Sequence, residues 1–398
     1  MDILIHPGKL SGTISAIPSK SQAHRYLICA AFSDQPTEII CRQTNRDIEA
    51  TAQCLCALGA DIRRTESGYY VYPITRFPKK AELPCAESGS TLRFLLPIVG
   101  AIGVEATFLL EGRLSQRPLS PLWEEMERMG CKLSRPSETA VLCTRQLKPG
   151  SYSISGGVSS QYITGLLFAL SLLNGCSRLE ITGEIESAPY IHITTDALRT
   201  FGVEINADVI AGAYPFRSPG KVNVEGDWSN AAFFLAANAI GSSVTVTGLN
   251  YDSSQGDRAV IDALQSLENN AVISARDIPD LIPILAVTAA ARQGAVFTHI
   301  ERLRLKESDR VATVCGLLNA LGIGAEQTQS QIIVPPGRFI GGTVDSARYH
   351  RIAMAAAIAA TVAENPVIIR DAECVSKSYP GFWRDYQLLG GQYEQYIR

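Results

Sequence analysis

A helix that ends on an apolar residue and a turn residue, followed directly by a strand, recurs six times along this chain. The copies fall at residues 56–62 (CALGADI), 126–133 (MERMGCKL), 198–205 (LRTFGVEI), 264–272 (LQSLENNAV), 317–322 (LLNALG) and 388–390 (LLG). Glycine closes five of them, because a helix commonly ends on a left-handed residue that glycine adopts without steric cost. In the fourth copy Asn269-Asn270 stands in its place, and asparagine tolerates the same conformation. Spacings of roughly 55 to 70 residues are those of a repeated supersecondary unit, with room in each for two helices and a few strands. Chance recurrence of a common helix end explains two or three copies, and six poorly.

The units divide three and three. With 398 residues the chain is too long for one ordinary core, so two similar α/β domains are expected. Residues 220–226 (GKVNVEG) form a natural crossing point, and the irregular stretch from Ser11 to Pro18 forms another, so the first strand belongs with the second half. The boundaries drawn are 1–13 with 227–398 for one domain and 14–226 for the other. A two-domain chain of this kind offers a cleft in which ligands bind and from which closure excludes water.

Composition excludes several classes. The net charge is −3 and no basic tract exists, so nucleic acid is not an expected partner. The longest apolar segments, such as residues 352–362, are alanine-rich and too short to span a bilayer, so no membrane association is expected. Ten cysteines are scattered singly without a C-x-x-C pair, and the N-terminus begins as a strand with no basic leader. Both point to a reducing cytoplasm. The five histidines lack metal-ligand spacing, and neither a metal nor a cofactor is expected.

Most units carry a polar cluster where a helix should start. In Arg304-Leu305-Lys306-Glu307-Ser308-Asp309-Arg310 the cations oppose the helix macrodipole, a conflict that a bound anion would relieve; a solvated charged turn is the alternative. Pro18-Ser19-Lys20-Ser21-Gln22-Ala23-His24-Arg25 again gathers cations and hydroxyls at a helix start, or else simply caps a surface helix. Glu87-Ser88-Gly89 allows close backbone approach to a ligand, and Arg113 with Arg117 sets two guanidiniums in a loop suited to phosphate or carboxylate. Ser159-Ser160-Gln161 is either an uncharged phosphate cradle or an ordinary serine cap. Asp277 or Asp280 could move a proton, and His350-Arg351 and Lys377-Ser378-Tyr379-Pro380 complete the set. Seven cations stand out: Lys20, Arg25, Arg117, Lys306, Arg310, Arg351 and Lys377. Gathered in one place they demand polyanionic ligands, and two phosphorylated acids, at about −2.5 to −3 each, nearly match them.

In this order, Pro18-Ser19-Lys20-Ser21-x-x-x-Arg25, Ser88-Gly89-x-x-x-Arg93, Arg117-Pro118, Ser159-Ser160-Gln161, Ser187-x-Pro189-Tyr190, Asp280, residues 304–310, His350-Arg351 and Lys377-Ser378-Tyr379-Pro380 resemble the 5-enolpyruvylshikimate-3-phosphate synthase family, the 3-phosphoshikimate 1-carboxyvinyltransferases. The resemblance covers essentially the whole chain. It implies an α/β fold of two domains, each of three βαβαββ units with helices packed inside, an inside-out α/β barrel. It implies transfer of the enolpyruvyl group of phosphoenolpyruvate to the 5-hydroxyl of shikimate 3-phosphate, in the pathway to aromatic amino acids, by a monomer acting on these two small molecules. The residues implied to bind shikimate 3-phosphate are Lys20, Ser21, Arg25, Ser159, Ser160, Gln161, Ser187, Tyr190, Asp280 and Lys306, mostly in domain 14–226. Those implied for phosphoenolpyruvate are Lys20, Gly89, Arg117, Gln161, Arg310, His350, Arg351 and Lys377, four of them in the other domain, which is expected to carry most phosphoenolpyruvate contacts. Asp280 is assigned as base, Glu307 as acid, and Lys20 as an aid to proton transfer.

Three positions depart from the family's pattern. Glu87 stands where asparagine is frequent, Arg302 where some relatives have asparagine, and Tyr349 where an aspartate usually precedes His-Arg. A carboxylate at 87 would repel an anion unless protonated or paired. Two other readings remain open: the sister transferase acting on UDP-N-acetylglucosamine, and a non-catalytic anion-binding relative. The first usually bears a cysteine just before the arginine matching Arg117, and residues 111–116 contain none.

Overall fold

The structure, a computed structural model, describes residues 1–206, 209–269, 271–305 and 308–396. It divides into two compact units, residues 18–225 and residues 1–17 with 226–398. In the first, helices α1 (Lys20–Ala31), α2 (Arg46–Ala57), α3 (Gly89–Ile102), α4 (Leu122–Arg128), α5 (Ser160–Leu172) and α6 (Ala188–Thr200) lie in chain order. The second holds α7 (Trp228–Ala239), α8 (Val260–Ser266), α9 (Ile282–Ala290), α10 (Arg310–Ala320), α11 (His350–Ala360) and α12 (Phe382–Leu388).

Unit 18–225 has three four-stranded sheets of one topology. In the sheet built on Lys80–Ala86, that strand runs parallel to Glu105–Leu110, which pairs antiparallel with Ala140–Thr144, and Lys132–Ser137 forms the edge. The same order holds for Ser151–Ser155, Cys176–Thr182, Val209–Ala211 and Ile205–Asn206. In the third sheet the leading strand, Lys221–Asn223, comes from the far end of the unit to lie parallel to Thr37–Ile40. The other unit repeats the pattern twice. In one of these sheets Asp2–His6 inserts antiparallel between Val367–Arg370 and Gln392–Tyr396, with Ile3 opposite Ile369, so the first strand does sit with the second half of the chain. Its remaining sheet is a two-stranded parallel pair, Ser11–Ser15 with Ser243–Thr247.

The first helix of each repeat is internal, and its sequence shows why. α9 and α11 are buried at every residue, and α5 at every residue except Gln161. A helix apolar all round has no face to offer water. The strands alternate instead, as in Ser151–Ser155 where Tyr152 and Ile154 are buried and Ser151 and Ser153 exposed, so the sheets form the outer layer. The recurring turn glycines take left-handed φ after the second helix of five repeats: Gly59 112°, Gly130 117°, Gly202 75°, Gly322 91° and Gly390 91°. In the fourth copy Asn270 lies outside the described residues.

Polar side chains cap the starts of both kinds of helix. Ser19, Ser88, Ser159 and Asp227 accept from backbone N–H groups in the first turns of α1, α3, α5 and α7. Asn45 and Asp309 do the same for α2 and α10. Each such cap is worth about 1 kcal/mol. Left-handed residues also follow the second strand of several sheets. Gly112 (φ 53°), His299 (54°) and Asp371 (52°) turn the chain into the 3-10 segments Gly112–Gln116, Glu301–Leu305 and Ala372–Lys377. Two of these lead directly to Arg117 and Lys377. Among the described residues no helix is long and apolar enough to cross a membrane.

Candidate active site

In unit 18–225 the predicted ligands converge through contacts among α1, α2, α3, α5 and α6. Lys20, the first residue of α1, places its ammonium 2.9 Å from the Asp47 carboxylate at the start of α2, with side chains 20% and 11% exposed. Arg25, one turn on, is buried. It donates to Thr194 Oγ1 (2.8 Å), Thr164 Oγ1 (3.3 Å), the Tyr190 carbonyl (2.8 Å) and the Ser21 carbonyl (2.6 Å), and lies over the Phe94 ring. Burial pulls its guanidinium down to about 9, so it stays charged at neutral pH. Arg25 thus ties α1 to α5 and α6, with four hydrogen bonds given to protein partners.

Gln161 sits where α5 starts. Its Oε1 accepts from Arg93 (3.0 Å) and its Nε2 donates to Ser90 (3.1 Å). One turn along, Gly165 permits that meeting. A Cβ there would come within 2.2 Å of the Arg93 carbonyl and force α3 from α5. Gly89 opens α3 under the same pressure, because a Cβ would meet Arg117 Nη1 and Arg93 Nη1, each at 2.6 Å. A helix N-terminus with bare backbone and two adjoining guanidiniums is built to take an oxyanion. Ser160 and Ser187 are buried and Ser21, Ser159 and Tyr190 half-buried, all at starts of α1, α5 or α6. Glu87 is laid against the Gly112 turn: a Cβ on Gly112 would sit 1.8 Å from Glu87 Oε1, so a side chain there would displace that carboxylate.

Beneath these groups runs a buried chain of hydroxyls. His24 Nδ1 pairs with Thr51 Oγ1 (2.7 Å), Thr51 with Thr91 Oγ1 (2.7 Å), and Thr91 donates to the Ser88 cap (2.7 Å). It fixes α1, α2 and α3 to one another where their N-termini present Lys20, Asp47 and Gly89. Burial drives His24 down to about 3, so its imidazole is neutral at any physiological pH.

In the other unit Asp280 joins two cations. Its Oδ1 accepts from Arg310 at 2.6 Å and its Oδ2 from Arg351 at 2.7 Å, with the arginine side chains 5% and 4% exposed and the aspartate 20%. Carbonyls reinforce the clasp: Arg310 donates to Pro279 (3.1 Å) and Arg351 to the Asp280 backbone (3.3 Å). Burial is the largest single influence on Arg351 and works against its charge, but Asp280, Tyr349 and Asp257 together outweigh it and hold the guanidinium above its ordinary value. Tyr349 supports the same group by lying under Arg310, 4.9 Å from the ring centre, and His350 is buried edge-on to Tyr349. Lys377 is half-buried, and the neighbouring Ser378 accepts from Asn230 in the first turn of α7 (3.3 Å). Lys306 and Glu307 lie outside the described residues.

The ion pairs change the charge arithmetic. Seven cations matched two ligands only if all were uncompensated, and Asp47 and Asp280 already pair with three of them. Sequence reasoning also missed Asp47, Thr51, Thr91, Thr164 and Thr194, and the buried Asp257. Asp47 had a signal, an acidic residue in a first turn behind an asparagine cap, and Thr91 stands in the polar stretch 87–93; Thr164 sits inside an apolar run and had none.

The profile of EPSP synthase (3-phosphoshikimate 1-carboxyvinyltransferase) matches residues 5–386. Proteins named 3-phosphoshikimate 1-carboxyvinyltransferase from Clostridium kluyveri and Clostridioides difficile are 38% and 36% identical to it, over 99% and 98% of this chain and 98% of each relative. Among solved structures, EPSP synthase from Acinetobacter baumannii superposes with a TM-score of 0.82 at 23% identity, covering 99% of this chain and all of that one. The enolpyruvyl transferase NikO from Streptomyces tendae gives 0.78 at 18%, covering 99% and 98%. The fold is therefore that of the enolpyruvyl transferases, α/β units repeated in two halves. Within that class, the chain belongs to the EPSP synthase family.

Proposed function

We propose that this protein is a 3-phosphoshikimate 1-carboxyvinyltransferase, joining the enolpyruvyl group of phosphoenolpyruvate to the 5-hydroxyl of shikimate 3-phosphate and releasing phosphate. It serves the shikimate pathway to aromatic amino acids. The geometric observation that carries the reading is the start of α3, where Gly89 leaves backbone bare beside Arg93 and Arg117. The full-length family match supplies the substrate class.

Phosphoenolpyruvate is held by Lys20, Gly89, Arg117, Gln161, Arg310, His350, Arg351 and Lys377. Shikimate 3-phosphate is held by Lys20, Ser21, Ser159, Ser160, Gln161, Ser187, Tyr190, Asp280 and Lys306, with Arg25 acting by fixing Tyr190 and Ser21. The 5-hydroxyl attacks C2 of phosphoenolpyruvate as its proton passes to Asp280, whose carboxylate is oriented by Arg310 and Arg351. C3 is protonated by Glu307, and a tetrahedral intermediate forms. Loss of a proton from that carbon, aided by Lys20, and departure of phosphate restore the enol ether, with the surrounding cations stabilising the leaving charge. Alignment of two anions by fixed cations itself removes much of the barrier. No cofactor takes part. One chain carries both ligand sets, which supports a monomer, and ten cysteines without a disulfide support a cytoplasmic setting.

Pure protein with phosphoenolpyruvate and either shikimate 3-phosphate or UDP-N-acetylglucosamine, assayed for phosphate, tests this. Release only with the shikimate acceptor is expected. Release with the nucleotide sugar would assign the sister reaction, and no release with either would leave a binding protein.

A further inference from the structure

We infer that Tyr162 is a positioning residue for Arg117: its hydroxyl fixes the loop carbonyl next to Arg117 and so holds that guanidinium where the start of α3 meets an anionic substrate. The inference rests on the reading that Arg117 and Gly89 hold phosphoenolpyruvate.

Tyr162 opens the apolar run of α5 and is 1% exposed. Phenylalanine would fill the same space, so the hydroxyl is what needs a reason. A phenol buried in such a helix must find a hydrogen-bond partner. It donates to the Pro118 carbonyl at 2.6 Å, 44 residues back along the chain. Arg93 Nη2 donates to the same oxygen at 3.2 Å, while its Nη1 donates to Gln161 Oε1 at 3.0 Å. The Arg93 guanidinium also lies 5.7 Å from the centre of the Tyr162 ring. A carbonyl oxygen has two lone pairs, and two donors occupy this one. Pro118 is itself exposed, and these hydrogen bonds tie it to α3 and α5.

The other side of Arg117 is held as well. Its N–H donates to the carbonyl of the buried Leu114 at 3.2 Å. Pro118 confines the residue before it to extended backbone, and Arg117 has φ −74° and ψ 136°. With both flanks fixed, the side chain is what remains to be placed, and it ends against Gly89, where a Cβ would meet its Nη1 at 2.6 Å. A cation anchored before its ligand arrives loses less freedom on binding, and that advantage appears in KM.

The test is steady-state kinetics of wild type, Tyr162→Phe, Arg117→Gln and the double variant, with each substrate varied while the other saturates. Tyr162→Phe keeps the ring and loses one hydroxyl, so the fold should survive. Its KM for phosphoenolpyruvate should rise about fivefold, the equivalent of one neutral hydrogen bond, with kcat and the KM for shikimate 3-phosphate within about twofold of wild type. Because the hydroxyl acts through Arg117, the same change made in Arg117→Gln should lower kcat/KM for phosphoenolpyruvate by less than about twofold. An unchanged KM in Tyr162→Phe, an equal rise in both KM values, or an undiminished loss in the Arg117→Gln background overturns the proposal and leaves the proposed reaction standing. If Arg117→Gln keeps the wild-type KM, or if wild type does not turn over, the reading beneath the proposal falls with it.

Discussion

The Lys20 ammonium lies 2.9 Å from the Asp47 carboxylate, binding the first residue of α1 to the first turn of α2. The pair is neither free in water nor sealed off, so its loss should cost about 1–3 kcal/mol, between the ranges for surface and fully buried pairs. Asp47→Asn frees Lys20 from its guide, and kcat/KM should fall by about ten- to a hundredfold with the fold intact. Urea denaturation and steady-state kinetics on one preparation check both. Unchanged kinetics would show that the orientation of Lys20 does not depend on Asp47.

Arg25 should matter more for stability than for binding. Arg25→Ala removes four hydrogen bonds among α1, α5 and α6, with a cost of about 3 kcal/mol, although Thr164 and Thr194 remain bonded to each other at 2.8 Å. A lower denaturation midpoint is expected. An unchanged midpoint with a raised KM for shikimate 3-phosphate would instead make Arg25 a direct ligand.

Gly89→Ala places a methyl group 2.6 Å from two guanidinium nitrogens. These are ends of flexible side chains, so the helix survives and the arginines shift. KM for phosphoenolpyruvate should rise about tenfold, with stability altered by less than about 1 kcal/mol. Thermal melts and KM measured together decide it, and an unchanged KM would remove Gly89 from the site.

His24 predicts a pH dependence of stability. Its folded pKa is pushed by burial to about 3 from an ordinary 6.5, so between those values the unfolded chain binds the extra proton. Stability from this group is fully present above about 6.5 and is lost as pH falls towards 3, at no more than about 1.4 kcal/mol per pH unit. His24→Gln should flatten the acid side of the curve. Urea midpoints from neutral to mildly acid pH test it; parallel curves for the two proteins would mean the histidine protonates freely in the folded state.

Some of this was legible in the residues and some was not. The six helix ends could be read because a left-handed turn narrows the choice to glycine or asparagine, and Gly59, Gly130, Gly202, Gly322 and Gly390 adopt that conformation. Internal helices such as α9 and α11 were legible because no polar face interrupts them. The partners of the cations were hidden. Arg25 meets Thr164 and Thr194 across 139 and 169 residues of chain, and Asp280 meets Arg351 across 71. A charge written in a motif does not tell whether a distant turn will return to neutralise it.

Phosphorus and proton NMR of one reaction mixture tests the central claim most directly. With shikimate 3-phosphate and phosphoenolpyruvate supplied, orthophosphate should appear in step with the loss of phosphoenolpyruvate, the 3-phosphate ester should persist, and a new enol ether should be attached at the 5-oxygen. Orthophosphate without the enol ether, or an unchanged spectrum, would contradict the account.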